Sequence, residues 1–198
     1  PDLGGKSIDQ AALSVRNVLL KYFWPKMVAE EGERVPMHFR LIVNGADQKI
    51  PKPEETAPFH ILAKALNDVR SRSVSSKPIR VKSLDTTAGY CAFGRDLQMR
   101  SDVRGLWPDK NESFHHVALM RPAELVVRYL EGAPIQEGSV DWGGVFICND
   151  DEEIESAFAA SEPPAHDDWI PSYLPSGTQK TIVNAALRRI RAEIRQYS

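Results

Sequence analysis

Ser161 to Trp169 reads "SEPPAHDDW" and packs metal-capable side chains beside rigid backbone. Glu162, His166, Asp167 and Asp168 offer imidazole and carboxylates together, a donor set that suits zinc, manganese or iron. Such a site would make the chain a metal-dependent hydrolase or nuclease. The spacing opposes it. Adjacent Asp167 and Asp168 point to opposite sides of an extended segment, and no second cluster with ligand spacing completes a shell. The mechanical reading is simpler. Pro163-Pro164 stops a helix and holds an extended conformer, an aspartate caps the next turn, and Trp169 anchors the loop to the core.

Other reactive side chains are more scattered. His115 and His116 in "FHHVALM" are consecutive on a strand, so they face opposite sides of a sheet and cannot share a ligand. One is expected to be packed and the other solvated. Glu112 and Ser113 supply letters of a hydrolytic triad without a nucleophile motif such as G-x-S-x-G. Cys91, in "AGYCAFGRDLQMR", has no adjacent base to activate it, and a buried place in a loop on the sheet is expected. That stretch lacks the Lys-Ser/Thr of a phosphate-binding loop and the glycine spacing of a dinucleotide turn. No cofactor site is therefore expected in this chain. Arg95, Arg100 and Arg104 could turn guanidinium forks toward phosphate, but Asp96 and Asp102 among them weaken that field.

The strongest basic surface lies at the end of the chain. Lys180 precedes Arg188, Arg189, Arg191 and Arg195, and Arg188, Arg191 and Arg195 recur at i, i+3 and i+7 on one helical face. That face is expected to flank an apolar stripe. It can track phosphates or meet an acidic partner, and cations also suit a helix C-terminus. It lacks the interleaved aromatics of a single-strand nucleic-acid platform, which favours the protein partner.

These groups need a frame. Ser7 with Gln10 forms a capping-box pattern, and apolar residues from Ile8 to Phe23 then keep helical spacing until Pro25. "PMHFRLIV" (36–43) alternates as a strand, with Asn44-Gly45 as a tight hairpin turn. Helical period returns over Phe59 to Arg70, and "PIRVKSL" alternates as a strand. Thr86 to Glu112 is glycine-rich and shows no convincing period. "FHHVALM" and "AELVVRYL" predict an antiparallel pair, with "WGGVFICND" as a third strand. Asp150 with Glu153 predicts a second capping box before a short helix. Ser176 to Tyr197 predicts the last helix, with Ile182, Val183, Ala186, Leu187, Ile190 and Ile194 buried. The sum is an α+β fold: an antiparallel sheet packed by helices, with long helices at both ends. Residues 1–7 read as linker, 8–198 as one α+β domain, and 176–198 as its basic amphipathic helix.

Bulk properties agree with a globular domain. The chain has 198 residues, 42% hydrophobic and 26% charged, with a net charge of −2. That balance gives no whole-chain pull toward nucleic acid or membrane. Apolar runs are too short to span a bilayer, no signal-peptide pattern opens the chain, and two cysteines make no disulfide framework. A cytoplasmic protein is expected. The opening "PDLGGKS" suggests an internal boundary, hence a piece of a larger polypeptide.

Four segments, "VLLKYFWPKM", "HHVALMRPAELVVRYL", "GGVFICNDDEEIESAF" and "EPPAHDDW", occur in this order. Together they resemble the region that follows the ATP-binding module in large bacterial GHKL-type (histidine-kinase-like) proteins. The GHKL motifs themselves, a helical Asn and an Asp-x-Gly-x-Gly loop, are absent, and "DTTAG" at Asp85 is not that loop. The resemblance implies that ATP and Mg belong to an upstream module. This chain would then be a non-catalytic coupling domain docking on that module or on another protein, in defence against foreign DNA or another nucleic-acid-linked process. The metal-dependent hydrolase is the alternative, and an oligomerisation module using the terminal helices is a third reading.

Overall fold

The computed structural model describes residues 7–30, 33–99, 103, 106, 113–135 and 139–198. Helix α1 spans Ile8–Tyr22 and opens on Ser7, whose side chain accepts from the Gln10 N–H while Gln10 returns the bond. A 3-10 turn over Trp24–Met27 follows, with Pro25 at its start. Strands β1 (Leu41–Val43) and β2 (Ala46–Gln48) form a hairpin through Asn44-Gly45. Both turn residues have positive φ, 50° and 80°, as a two-residue hairpin with the right twist requires. Strand β1 is shorter than its alternation predicts. Its pairing with β2 runs only from Val43–Ala46 to Leu41–Gln48.

Helix α2 is Phe59–Arg70, the predicted span. The main sheet follows as β3 (Lys77–Val81), β4 (Thr86–Leu97), β5 (His115–Met120), β6 (Val126–Glu131) and β7 (Val140–Cys148). Its order is β3-β4-β7-β5-β6, antiparallel except for the β5–β7 pair. The predicted β5–β6 hairpin is present. The third strand, β7, enters on the far side of β5, and its other neighbour is β4. Helices α3 (Glu152–Ala160) and α4 (Thr178–Tyr197) complete the fold. The α3 cap is Asp151, which accepts from the N–H groups of Glu153 and Ile154, one residue beyond the predicted Asp150.

Both faces of the sheet are covered, which is why its central strands do not alternate. All six β5 residues are buried. On one face, Val117, Leu119, Trp142 and Phe146 pack against Phe158 of α3 and Ile182, Val183, Leu187 and Ile190 of α4. On the other, Ala118, Met120 and Val145 meet Phe59, Leu62 and Leu66 of α2, with Leu20 and Trp24 beyond. The predicted α4 stripe is wholly used within the chain, whereas α1 is half covered, with Val15 48% and Val18 50% exposed. No helix among the described residues is long and apolar enough to cross a membrane.

Candidate functional site

The "SEPPAHDDW" loop is tied at its neck, where the Ile170 N–H donates to the Ser161 carbonyl at 2.8 Å. Pro163 starts a turn instead of the predicted extended run, closed by the His166 N–H on the Pro163 carbonyl at 2.9 Å. His166 itself takes a left-handed backbone, φ 54°. Inside the loop, the Glu162 carboxylate is 2% exposed. It accepts from Arg121 Nε at 2.9 Å, from Trp169 Nε1 at 3.2 Å, and pairs with His166 Nδ1 at 2.7 Å. Trp169 fills the core against Phe158 (4.4 Å between ring centres) and Phe146 (6.0 Å), the predicted anchor. Asp168 accepts from Arg128 and from the Trp169 N–H.

These contacts engage both oxygens of Glu162 and one oxygen of Asp168. Glu162 already meets three donors and Asp168 two, while the His166 ring is turned onto Glu162. Among the described residues, no group of three or more His, Cys, Asp or Glu side chains could hold a metal ion. Glu162, His166, Asp167 and Asp168 are neighbours in the chain and form no such group.

The other sequence candidates separate as well. His115 and His116 are both buried, at 0% and 6% exposure, so neither is the solvated one expected. The sheet's covered faces account for it. His115 Nδ1 lies 2.9 Å from the Ser113 carbonyl and its Nε2 3.4 Å from Glu131. Cys91 lies within strand β4, not in a loop, and burial pushes its thiol up to about 12. Cys148 is buried and free, and burial raises its thiol to about 12 as well. Thiols held protonated this way are poor nucleophiles. Arg95 is exposed at the end of β4, and Asp96 faces His60 at 3.2 Å. The Leu97 N–H, and then His60, hold the Asp96 carboxyl below its ordinary range. Arg100, Asp102, Arg104 and Glu112 lie outside the described residues.

What the fold does assemble is a basic groove of about 900 Å³ between edge strand β3 and helix α4. Lys77, Arg80 and Lys82 line it from the strand side, and Arg188 and Arg189 from the helix. One carboxylate sits among these five cations: Glu193, 5% exposed, which holds Lys77 Nζ at 3.1 Å and Arg189 at 2.9 Å. Arg80, Lys82 and Arg188 are exposed and reach no carboxylate among the described residues. Arg191 and Arg195 are exposed, but they are not among the groove's lining residues. Sequence spacing found Arg188 and missed the strand half. Lys77, Arg80 and Lys82 interleave with buried Ile79 and Val81, and only the pairing of that strand with the helix turns them into a wall.

Comparison with known proteins returned no match, whether to a family model, to a curated protein or to a solved structure.

Proposed function

We propose that this chain is a non-catalytic docking domain whose β3–α4 groove receives an acidic segment of a protein partner. The observation that carries the reading is the groove's charge, five cations around one buried carboxylate in a chain whose net charge is −2. A local field of that sign attracts and orients an acidic segment while the rest of the chain, net negative, repels it. The segment engages side chains and does not add as a strand. Pro78 removes a donor from the β3 edge, and a bulge between Ile79 and Arg80 breaks the register an added strand would need. Among the described residues no aromatic side chain lines the groove, so they offer bases nothing to stack on.

The resemblance to GHKL-type proteins extends the proposal. On that reading the acidic segment belongs to an upstream ATP-binding module, ATP and Mg reside there, and the assembly serves bacterial defence. The test uses a fluorescent peptide of eight Glu and Asp residues and the variant Arg80→Glu/Lys82→Glu/Arg188→Glu. Wild type is expected to bind the peptide, and the variant to lose binding at least about tenfold at 0.15 M salt. Unchanged binding in a folded variant removes the groove from the account. The three side chains are exposed, so folding is not at stake.

A further inference from the structure

The opposite edge of the sheet carries a cleft of different character. It has a volume of about 530 Å³ and lies between the end of α1, the β5–β6 turn and the "SEPPAHDDW" loop. Its wall is apolar, with Phe23, Leu125 and Val127 among the lining residues and the Tyr22 ring beside them. That volume falls in the range of small-ligand sites, where a few placed polar groups choose the ligand.

The polar groups here are Arg121, Glu162, His166 and Asp167. Arg121 has no charge to spare, because its guanidinium meets Glu162 at 2.9 Å and Glu155 at 3.4 Å. Glu162 is closed off by its three donors, and Asp168 next door is neutralised by Arg128. Asp167 differs from all of these. It is exposed, it lines the cleft, and it makes no ion pair or hydrogen bond with any described residue. Counting Glu155, the rim holds three carboxylates against one arginine. An anionic ligand would meet net repulsion there. A cation would gain Asp167, and the Phe23 ring lines the same cleft, while Lys21 Nζ already lies 5.9 Å from the centre of the Tyr22 ring.

We infer that this cleft binds an apolar molecule carrying a single ammonium or guanidinium group, with the cation at Asp167 and the apolar body on Phe23, Leu125 and Val127. The inference is independent of the basic groove, whose charge has the opposite sign at the other edge of the sheet. The same chemistry could come from a free amine or from a Lys or Arg side chain beside apolar neighbours.

Amide-resolved NMR titration of the whole chain tests it, with phenethylamine, 2-phenylethanol and phenylacetate as probes of one shape and three charges. Phenethylamine is expected to shift the amides of Phe23, Leu125, Val127 and Asp167. It should bind about fivefold or more tighter than the alcohol, the size of one exposed ion pair plus a cation–π contact. Phenylacetate should bind weakest. Asp167→Asn, at an exposed position, should reduce the amine's advantage while keeping the fold. Acetyl-Phe-Arg-amide binding tighter than phenethylguanidine would mark a protein side chain as the natural occupant, and the reverse order a free small molecule. The inference is overturned by equal affinity for all three probes, by preference for phenylacetate, by an unchanged preference in the variant, by shifts elsewhere, or by no phenethylamine binding.

Discussion

Glu162 shows how a residue that reads as a ligand becomes a structural keystone. Its carboxylate lies under the loop and holds Arg121, Trp169 and His166 at once. Replacing it by Gln removes the charge but keeps the shape. A cost of about 1.5–3 kcal/mol is expected, toward the lower end because Arg121 is partly exposed. Asp167→Ala on the same loop should stay within about 0.5 kcal/mol. Urea midpoints of the two variants check the contrast, and equal losses would show that the network is not what holds the loop.

The two thiols make a pH prediction at the same scale. Burial raises Cys91 and Cys148 to about 12, above their ordinary value of 9.0. Unfolding therefore lets them ionise earlier. The unfolded state binds fewer protons between pH 9 and about 12, so stability is whole below pH 9 and falls as pH rises through that window. Burial also raises the Tyr129 phenol, which adds to the fall above pH 10. Denaturant midpoints between pH 8 and 10.5 should decline, and the decline just above pH 9 should flatten in Cys91→Ala/Cys148→Ala. A wild-type profile with no slope there would contradict buried thiols.

Among the elements, legibility followed burial. Helices α1, α2 and α4 were readable because each has one apolar face and a signal at its start or stop. The Ser7–Gln10 box and the Asn44-Gly45 turn were readable because both are local. Strand β4 was not. Its apolar residues Ala88, Cys91 and Ala92 serve two cores, so no period of two survives, and Gly89 and Gly94 imitate a loop. The glycine at 89 is there for space, since a Cβ would lie 2.2 Å from the Ile147 carbonyl of the neighbouring strand. The sequence favours Asp150, with Glu153 three residues on, and only the turn off β7 makes Asp151 the cap of α3. Asp151→Ala should cost about 1 kcal/mol, and Asp150→Ala next to nothing. Comparable losses in thermal unfolding would reject the assigned cap.

At the scale of the whole molecule, the sheet separates two surfaces of opposite sign. Five strands at about 4.8 Å spacing set its edges about 19 Å apart, with the cationic groove at β3 and the acid-rimmed cleft at β6. Neither surface was legible in the sequence. Each joins segments remote in the chain, Lys77–Lys82 with Arg188–Arg189 in one case and Phe23 with Leu125 and Asp167 in the other. The α4 arginines were visible as a face, but their meaning depends on which strand lies beside them. Oligomerisation through the apolar stripe of α4 would require that helix to leave the core, since Ile182, Val183, Ala186, Leu187, Ile190 and Ile194 are all buried in it. Docking at the groove leaves every core contact in place.

The central claim is that the β3–α4 groove takes an acidic protein segment in preference to nucleic acid. The most direct measurement is a competition on the wild-type chain at 0.15 M salt, with the labelled acidic peptide bound and unlabelled duplex or single-stranded DNA added. The account predicts that excess DNA displaces little peptide. It also predicts that the variant Arg80→Glu/Lys82→Glu/Arg188→Glu binds neither ligand. Displacement of the peptide by stoichiometric DNA, with a log–log salt slope of about −2.7 for duplex or −2.1 for single-stranded DNA at three phosphate contacts, would contradict the claim and make the groove a nucleic-acid site.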